Sequence, residues 1–232
     1  MPWQNQLVNP SVRLTEKDSS EKDPEMSDPY IASTLIAPYL AQLASPAPTP
    51  GGGSACAAVG AIGAALIEMV INVSLRSAHP EHVDELHTEL QIATEARARF
   101  VVFGTMDERA YNGYRVALAL PKSSDEEKVA RRDALEKATI ASAEAPLQTA
   151  VLAESLLKRI FDVTKIASSH MRSDLGVAAH MLASAGSAAI VMVDTNLILI
   201  KTKETADDLR SKRIAIESGL SSSMNTALHA IA

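Results

Sequence analysis

Residues 45–75 read SPAPTPGGGSACAAVGAIGAALIEMVINVSL, and this stretch decides the fold. Pro46, Pro48 and Pro50 hold the approach extended, and Gly51, Gly52 and Gly53 remove every Cβ, so that a planar or anionic group can come close to the backbone. Ser54 then opens a helix, whose first N–H groups favour an anion or a carbonyl oxygen. From there to Leu75 the residues are almost all Ala, Gly, Ile, Leu, Val and Met, so the helix must be buried. The plainer reading of the glycines is a turn where another helix passes close.

Around this stretch the chain reads as one helix after another. A short helix is predicted over 38–44 (PYLAQLA), ahead of the loop. After Pro80 the run Glu81–Leu120 carries Val83, Leu86, Leu90 and Ala93 at helical spacing and stops at Pro121, with Gly104 and Gly113 as places to bend. Asp125 opens a helix to about Ala143, its acidic first turn complementing the helix dipole. Pro146 is expected to start a separate helix with Val151, Leu152, Leu156 and Ile160 along one side. Two more helices are predicted over Ser173–Ile200 and Glu204–Ala230. No period-two strand or hairpin pattern is present, so the fold class is all-α. Residues 1–29 lack periodicity and read as a flexible arm outside a helical domain spanning 30–232.

Composition excludes several classes. At 232 residues the chain supports one well-filled core. Acidic residues outnumber basic ones 28 to 22 and no Lys/Arg cluster interleaves with aromatics, which argues against nucleic acid and anionic membrane as partners. A single cysteine, Cys56, lies in the apolar helix, so no intramolecular disulfide forms and a reducing, cytoplasmic setting is expected. Ala55–Leu75 and Leu175–Ile200 are long and apolar enough to raise a transmembrane reading. Glu68, His180 and Asp194 interrupt them, and their Ala, Gly and Ser content fits the central helices of a bundle better. Cys56, Gly60 and Ala64, like Ala185 and Ala189, recur one turn apart and let helices approach closely. With so few aromatics to cover two such helices, a homodimer is expected.

Chemistry concentrates in three places. In MDERAYNGY (106–114), Asp107 and Tyr111 lie one turn apart on one face, where a carboxylate and a phenol can orient a polar ligand; a solvated surface is the plainer alternative. Lys122, just beyond, suits an anionic substrate tail or simply ends the helix. In SDLGVAA (173–179), Ser173 or Asp174 reads as an N-cap. Asp194 and Asn196 lie deep in an apolar run and need a ligand, a polar helix or a subunit interface as partner. There is no zinc-type Cys/His spacing, no G-x-S-x-G and no P-loop lysine, so no metal site is expected.

Together these motifs resemble the formiminotetrahydrofolate cyclodeaminase and methenyltetrahydrofolate cyclohydrolase family, all-helical, homodimeric folate enzymes. The similarity runs from about Ala37 to the C-terminus. It rests on APTPGGGS followed by GAIGAAL and MVIN, on D-x-x-A-Y followed by ALPK and DEEK, and on S-D-x-G-V-A with a later Asn. Met192 stands where such proteins usually carry Asn, and Ser77, Ala78 and His79 stand where they often carry lysines.

The resemblance implies chemistry on the one-carbon bridge between N5 and N10 of tetrahydrofolate. The leading reaction is hydrolysis of 5,10-methenyltetrahydrofolate to 10-formyltetrahydrofolate. Cyclodeamination of the 5-formimino compound with release of ammonia, or a non-catalytic folate-binding or scaffold role, are the alternatives. It implies Asp107 and then Asp174 as catalytic acids. Pro50, Gly51, Gly52, Gly53 and Ser54 become the ligand loop, with Tyr111, Lys122 and Asn196 as further binding residues. No cofactor beyond the folate is implied. On one straight helix Asp174 and Asn196 stand roughly 33 Å apart. A ligand touching both requires a broken helix or a site assembled across the dimer.

Overall fold

A computed structural model describes residues 36–232. The arm expected over residues 1–29 lies outside the described residues. Contacts group Leu40–Ala232 into one compact unit. The described residues form helices α1 (Ile36–Leu43), α2 (Gly52–Leu75), α3 (Val83–Ala119), α4 (Asp125–Ile166), α5 (Arg172–Leu197) and α6 (Lys203–Ile231), and no strand. Short 3-10 turns at Pro80–His82 and Ser169–Met171 lead into α3 and α5.

Small residues set the packing. A Cβ on Gly60 would come within 2.5 Å of the Phe100 ring, one on Gly63 within 2.9 Å of Leu182, and one on Gly186 within 2.6 Å of Leu220. These glycines let α3 and α5 close onto α2, and α6 onto α5. Phe100, Ile67, Ile71, Leu86, Leu156 and Leu182 are fully buried in the resulting core, each contributing about 1.5–3 kcal/mol. A smaller cluster of Ala143, Leu147, Val193, Leu197, Ile200, Ala206 and Leu209 fills the far end, between α4, α5 and α6.

Three boundaries differ from the sequence reading. Helix α2 starts at Gly52 with Gly51 as N-cap, so Ser54 lies within the first turn instead of opening it. Helix α5 starts at Arg172 after the 3-10 turn, so Asp174 is a first-turn acid, and the N-cap is Met171 instead of Ser173 or Asp174. Most instructive, Pro146 breaks nothing: α4 runs unbroken from Asp125 to Ile166 with Pro146 buried inside it. A proline has no N–H for the carbonyl four residues back, here Ser142, and that orphaned oxygen is what normally makes an interior proline costly. Asn196 supplies the missing donor, its Nδ2 lying 2.9 Å from the Ser142 oxygen. Ser124 starts α4 with a complete capping box to Glu127.

Helices α2 and α5 are apolar and long enough to cross a membrane, yet only about half of each is covered. Ile62 and Met69 of α2 and Val177 and Val191 of α5 are among the exposed large apolar residues.

Candidate active site

The start of α2 meets the middle of α3. Gly53 is pressed so closely by Asp107 that a Cβ there would overlap the carboxylate. The group that approaches the glycine backbone is therefore the protein's own acid. The Ser54 backbone N–H donates to Asp107 Oδ2 at 3.1 Å, and the Ser54 hydroxyl donates to Glu108 Oε1 at 3.0 Å. One residue of α2 thus holds two adjacent acids of α3. Burial pushes the Asp107 carboxyl above its ordinary range; the Ser54 N–H opposes this and the neighbouring Glu108 charge reinforces it. The thiol of Cys56 is likewise pushed up, by burial first and by Asp107 second.

Asp107 opens into a cavity of about 330 Å³. Gly51 and Gly52 form one wall with Pro48 and Thr49, Tyr111 and Tyr114 another, and Met192, Thr195, Asn196 and Leu199 of the α5 end close it, with Ser142. The N–H groups of Gly52 and Gly53 belong to the first turn of α2 and lack acceptors within the helix. Asn196 spends both N–H groups on the carbonyls of Ser142 and Met192. Its Oδ1 therefore remains as an acceptor on the cavity wall. Met192 packs its sulfur 3.1 Å from where a Gly52 Cβ would lie, so the sulfur occupies the room that Gly52 leaves free. The site thus offers a buried carboxylate, a helix N-terminus, two phenols and an amide oxygen around a largely apolar space, the usual make-up of a small-molecule site.

Beyond Tyr114 and Leu199, which line both, lies a second cavity of about 500 Å³ bordered by Lys122, Lys128, Arg131, Arg132 and Lys201. Arg131 is anchored on the Leu118 carbonyl and Lys128 on Asp125. Of this basic cluster the sequence singled out Lys122; Lys128, Arg131 and Arg132 share one short stretch of α4, and Lys201 joins them from the segment after α5 only in the folded chain.

The structure brings Gly51, Gly52, Gly53, Ser54, Asp107, Tyr111 and Asn196 together, with Pro50 in the adjoining turn and Lys122 in the basic annex. Asp174 is not among them. Helix α5 is continuous, so Asp174 stands at its opposite end from Asn196. Asp194, expected to be buried, is exposed and paired with Arg213 at 2.8 Å. Sequence reasoning passed over Ser142, Tyr114, Thr195 and Glu108. Glu108 and Tyr114 lie inside the quoted MDERAYNGY motif; the acidity of Glu108 read as solvated surface, while Tyr114 follows Asp107 by two helical turns.

An all-helical bundle with an acid clamped against a glycine-started helix defines a class of small-molecule site and narrows the field. The chain matches the formiminotransferase-cyclodeaminase family over residues 35–214 and belongs to it. It is 34% identical over 144 residues to the methenyltetrahydrofolate cyclohydrolase of Methylorubrum extorquens, covering 62% of this chain and 69% of that protein. To the formimidoyltransferase-cyclodeaminase of Sus scrofa it is 30% identical over 200 residues, which is 86% of this chain but 36% of that longer protein. The solved structure of a formiminotetrahydrofolate cyclodeaminase from Thermotoga maritima superposes with a TM-score of 0.76 at 21% identity, covering 87% of this chain and 98% of that one. That likeness carries the fold.

Proposed function

We propose that this one-carbon folate enzyme hydrolyses 5,10-methenyltetrahydrofolate to 10-formyltetrahydrofolate, with Asp107 as the group that handles the proton. The observation that carries this reading is the clamp on Asp107. Ser54 fixes its position while burial makes it a better base than an ordinary surface carboxylate. Its charge faces the delocalised cation of the N5–C–N10 bridge and lowers the cost of water adding there. Water bonds to the bridge carbon and gives its proton to Asp107. The tetrahedral adduct collapses by breaking the carbon–N5 bond, Asp107 returns the proton to N5, and the hydroxyl proton is released as the formyl group forms on N10.

The remaining parts support binding. The free N–H groups of the α2 start suit a pterin oxygen, Tyr111 and Tyr114 offer faces for the ring, and the Asn196 oxygen accepts from an amine of the pterin. The basic annex holding Lys122 lies where an anionic glutamate tail would leave the cavity. The protein acts as a homodimer in this reading, the half-covered face of α2 and α5 being its interface.

Loss of methenyltetrahydrofolate absorbance, followed with and without protein, tests the proposal. Accelerated decay that depends on Asp107 is expected. Release of ammonia from 5-formiminotetrahydrofolate without that decay would replace it by cyclodeamination, and saturable binding with neither turnover would leave a folate-binding protein.

A further inference from the structure

Ser54 is buried, and it spends its two donors on neighbouring acids: the hydroxyl on Glu108 Oε1 at 3.0 Å, the backbone N–H on Asp107 Oδ2 at 3.1 Å. Helix α3 receives Ser54 at Gly104, one turn before Glu108. A Cβ on Gly104 would lie 3.6 Å from the Ser54 Oγ and 3.7 Å from its carbonyl oxygen. Gly104 and Glu108 thus form the edge of α3 on which the start of α2 sits, with Asp107 beside it. A buried hydroxyl needs a partner, and a carboxylate accepts from it more strongly than a neutral oxygen does. Glu108 enters no ion pair among the described residues, so its carboxylate is committed to Ser54.

We propose that Glu108 is a positioning residue for the chemistry at Asp107: by accepting the Ser54 hydroxyl it seats the first turn of α2 against α3, so that the Ser54 N–H meets the Asp107 carboxylate. The inference rests on the reading of Asp107 as the group that handles the proton. Glu108 does not line the cleft, and it acts through Ser54. The space that Gly53 leaves for the Asp107 carboxylate stays aligned with it only while the α2 start is held in place.

Charge gives Glu108 a second effect. Among the described residues no Lys, Arg or His lines the cleft. On α2 the Cys56 thiol is held up first by burial and then by Asp107. Helix α3 adds the phenols of Tyr111 and Tyr114, while the α4 and α5 residues at the cleft, Ser142, Met192, Thr195 and Asn196, do not titrate. Glu108 is the charged neighbour that acts on Asp107. Burial raises the Asp107 carboxyl most, the Ser54 N–H pulls it back, and the Glu108 charge adds to the rise. The seat and the charge therefore push Asp107 in opposite directions, and substitutions that separate them move its titration opposite ways.

A cycle on these residues tests the inference, with kcat and KM for methenyltetrahydrofolate read against pH. Glu108→Ala and Ser54→Ala should each lower kcat about three- to tenfold with KM little changed, and the double variant should be no slower than the slower single, since one bond is lost either way. Glu108→Gln keeps an oxygen for the hydroxyl and should recover most of what Glu108→Ala loses. The limb on which its rate falls on acidification should move to lower pH. In Ser54→Ala the charge stays and the seat loosens, so that limb should move to higher pH. Stability supplies a readout without substrate. The pH window over which the wild type loses stability relative to Asp107→Asn should narrow when both carry Glu108→Gln and widen when both carry Ser54→Ala. Losses that multiply in the double variant, a Glu108→Ala enzyme at wild-type kcat, or a limb and a window that neither substitution moves overturn the inference. A wild type that fails to turn over the substrate overturns the folate reading instead, and the stability window then still decides for or against Glu108.

Discussion

Asn196 on α5 donates to the Ser142 carbonyl on α4 at 2.9 Å, taking the place of the N–H that Pro146 lacks. The same bond lets a 42-residue helix pass through a proline and fixes the amide at the wall of the cleft. Asn196→Ala should therefore cost about 1–3 kcal/mol by leaving a part-buried carbonyl unpaired. Pro146→Ala restores the backbone donor, so the double variant should regain most of that loss in a denaturant titration. Simple addition of the two effects would show that the bond does not compensate for the proline.

Asp107→Asn should lower turnover about 10²-fold or more. Because burial raises the Asp107 pKa, the wild-type rate should fall on acidification at a pH above the ordinary carboxylate range of about 3.9. The variant's residual rate should lack that limb.

The same shift predicts a stability difference with a definite sign. The folded protein binds a proton at Asp107 more tightly than the unfolded chain does, so stability is lost as pH rises from the ordinary carboxylate pKa through the raised one. Asp107→Asn removes this loss. Its unfolding free energy relative to wild type should climb across that window and level off above it, as pH-resolved denaturation would record.

Gly53 and Gly60 separate site from scaffold. Gly60→Ala places a Cβ 2.5 Å from the ring of fully buried Phe100 and should cost about 1–3 kcal/mol in stability. Gly53→Ala meets only the tip of the Asp107 side chain, which can swing aside. Its melting temperature should move less while turnover falls as far as in Asp107→Asn.

Replacing Lys122 and Lys201 together by Ala should raise KM for substrates bearing several tail glutamates about two- to tenfold, with kcat unchanged, since exposed ion pairs contribute about 0.2–1 kcal/mol each. The effect should shrink with added salt.

Much of this was legible locally. The apolar run after Gly51 declares a buried helix, the order of the glycine, Asp107 and Asp174 motifs points to the family, and Tyr111 follows Asp107 by one helical turn. The Pro146 boundary was read wrongly, because helix rules count hydrogen bonds within a segment and the rescuing donor comes from Asn196, 54 residues from Ser142. The basic annex was legible only in part: Lys122 was singled out and Lys128, Arg131 and Arg132 are near neighbours in α4, but Lys201 lies far along the chain and meets them only through the packing of α4 against the end of α5.

The sequence by itself determined that this is an all-α chain with two helices too apolar to stand alone and a glycine turn made for close approach. Periodicity and propensity act over one or two turns of helix, and they suffice for that. Only the tertiary structure decided what approaches the glycines, namely Asp107, and that Asn196 lies with it while Asp174 lies a full helix length away. Those relations depend on how rigid helices of fixed rise are packed side by side, and no local pattern encodes which distant side chain completes a given turn.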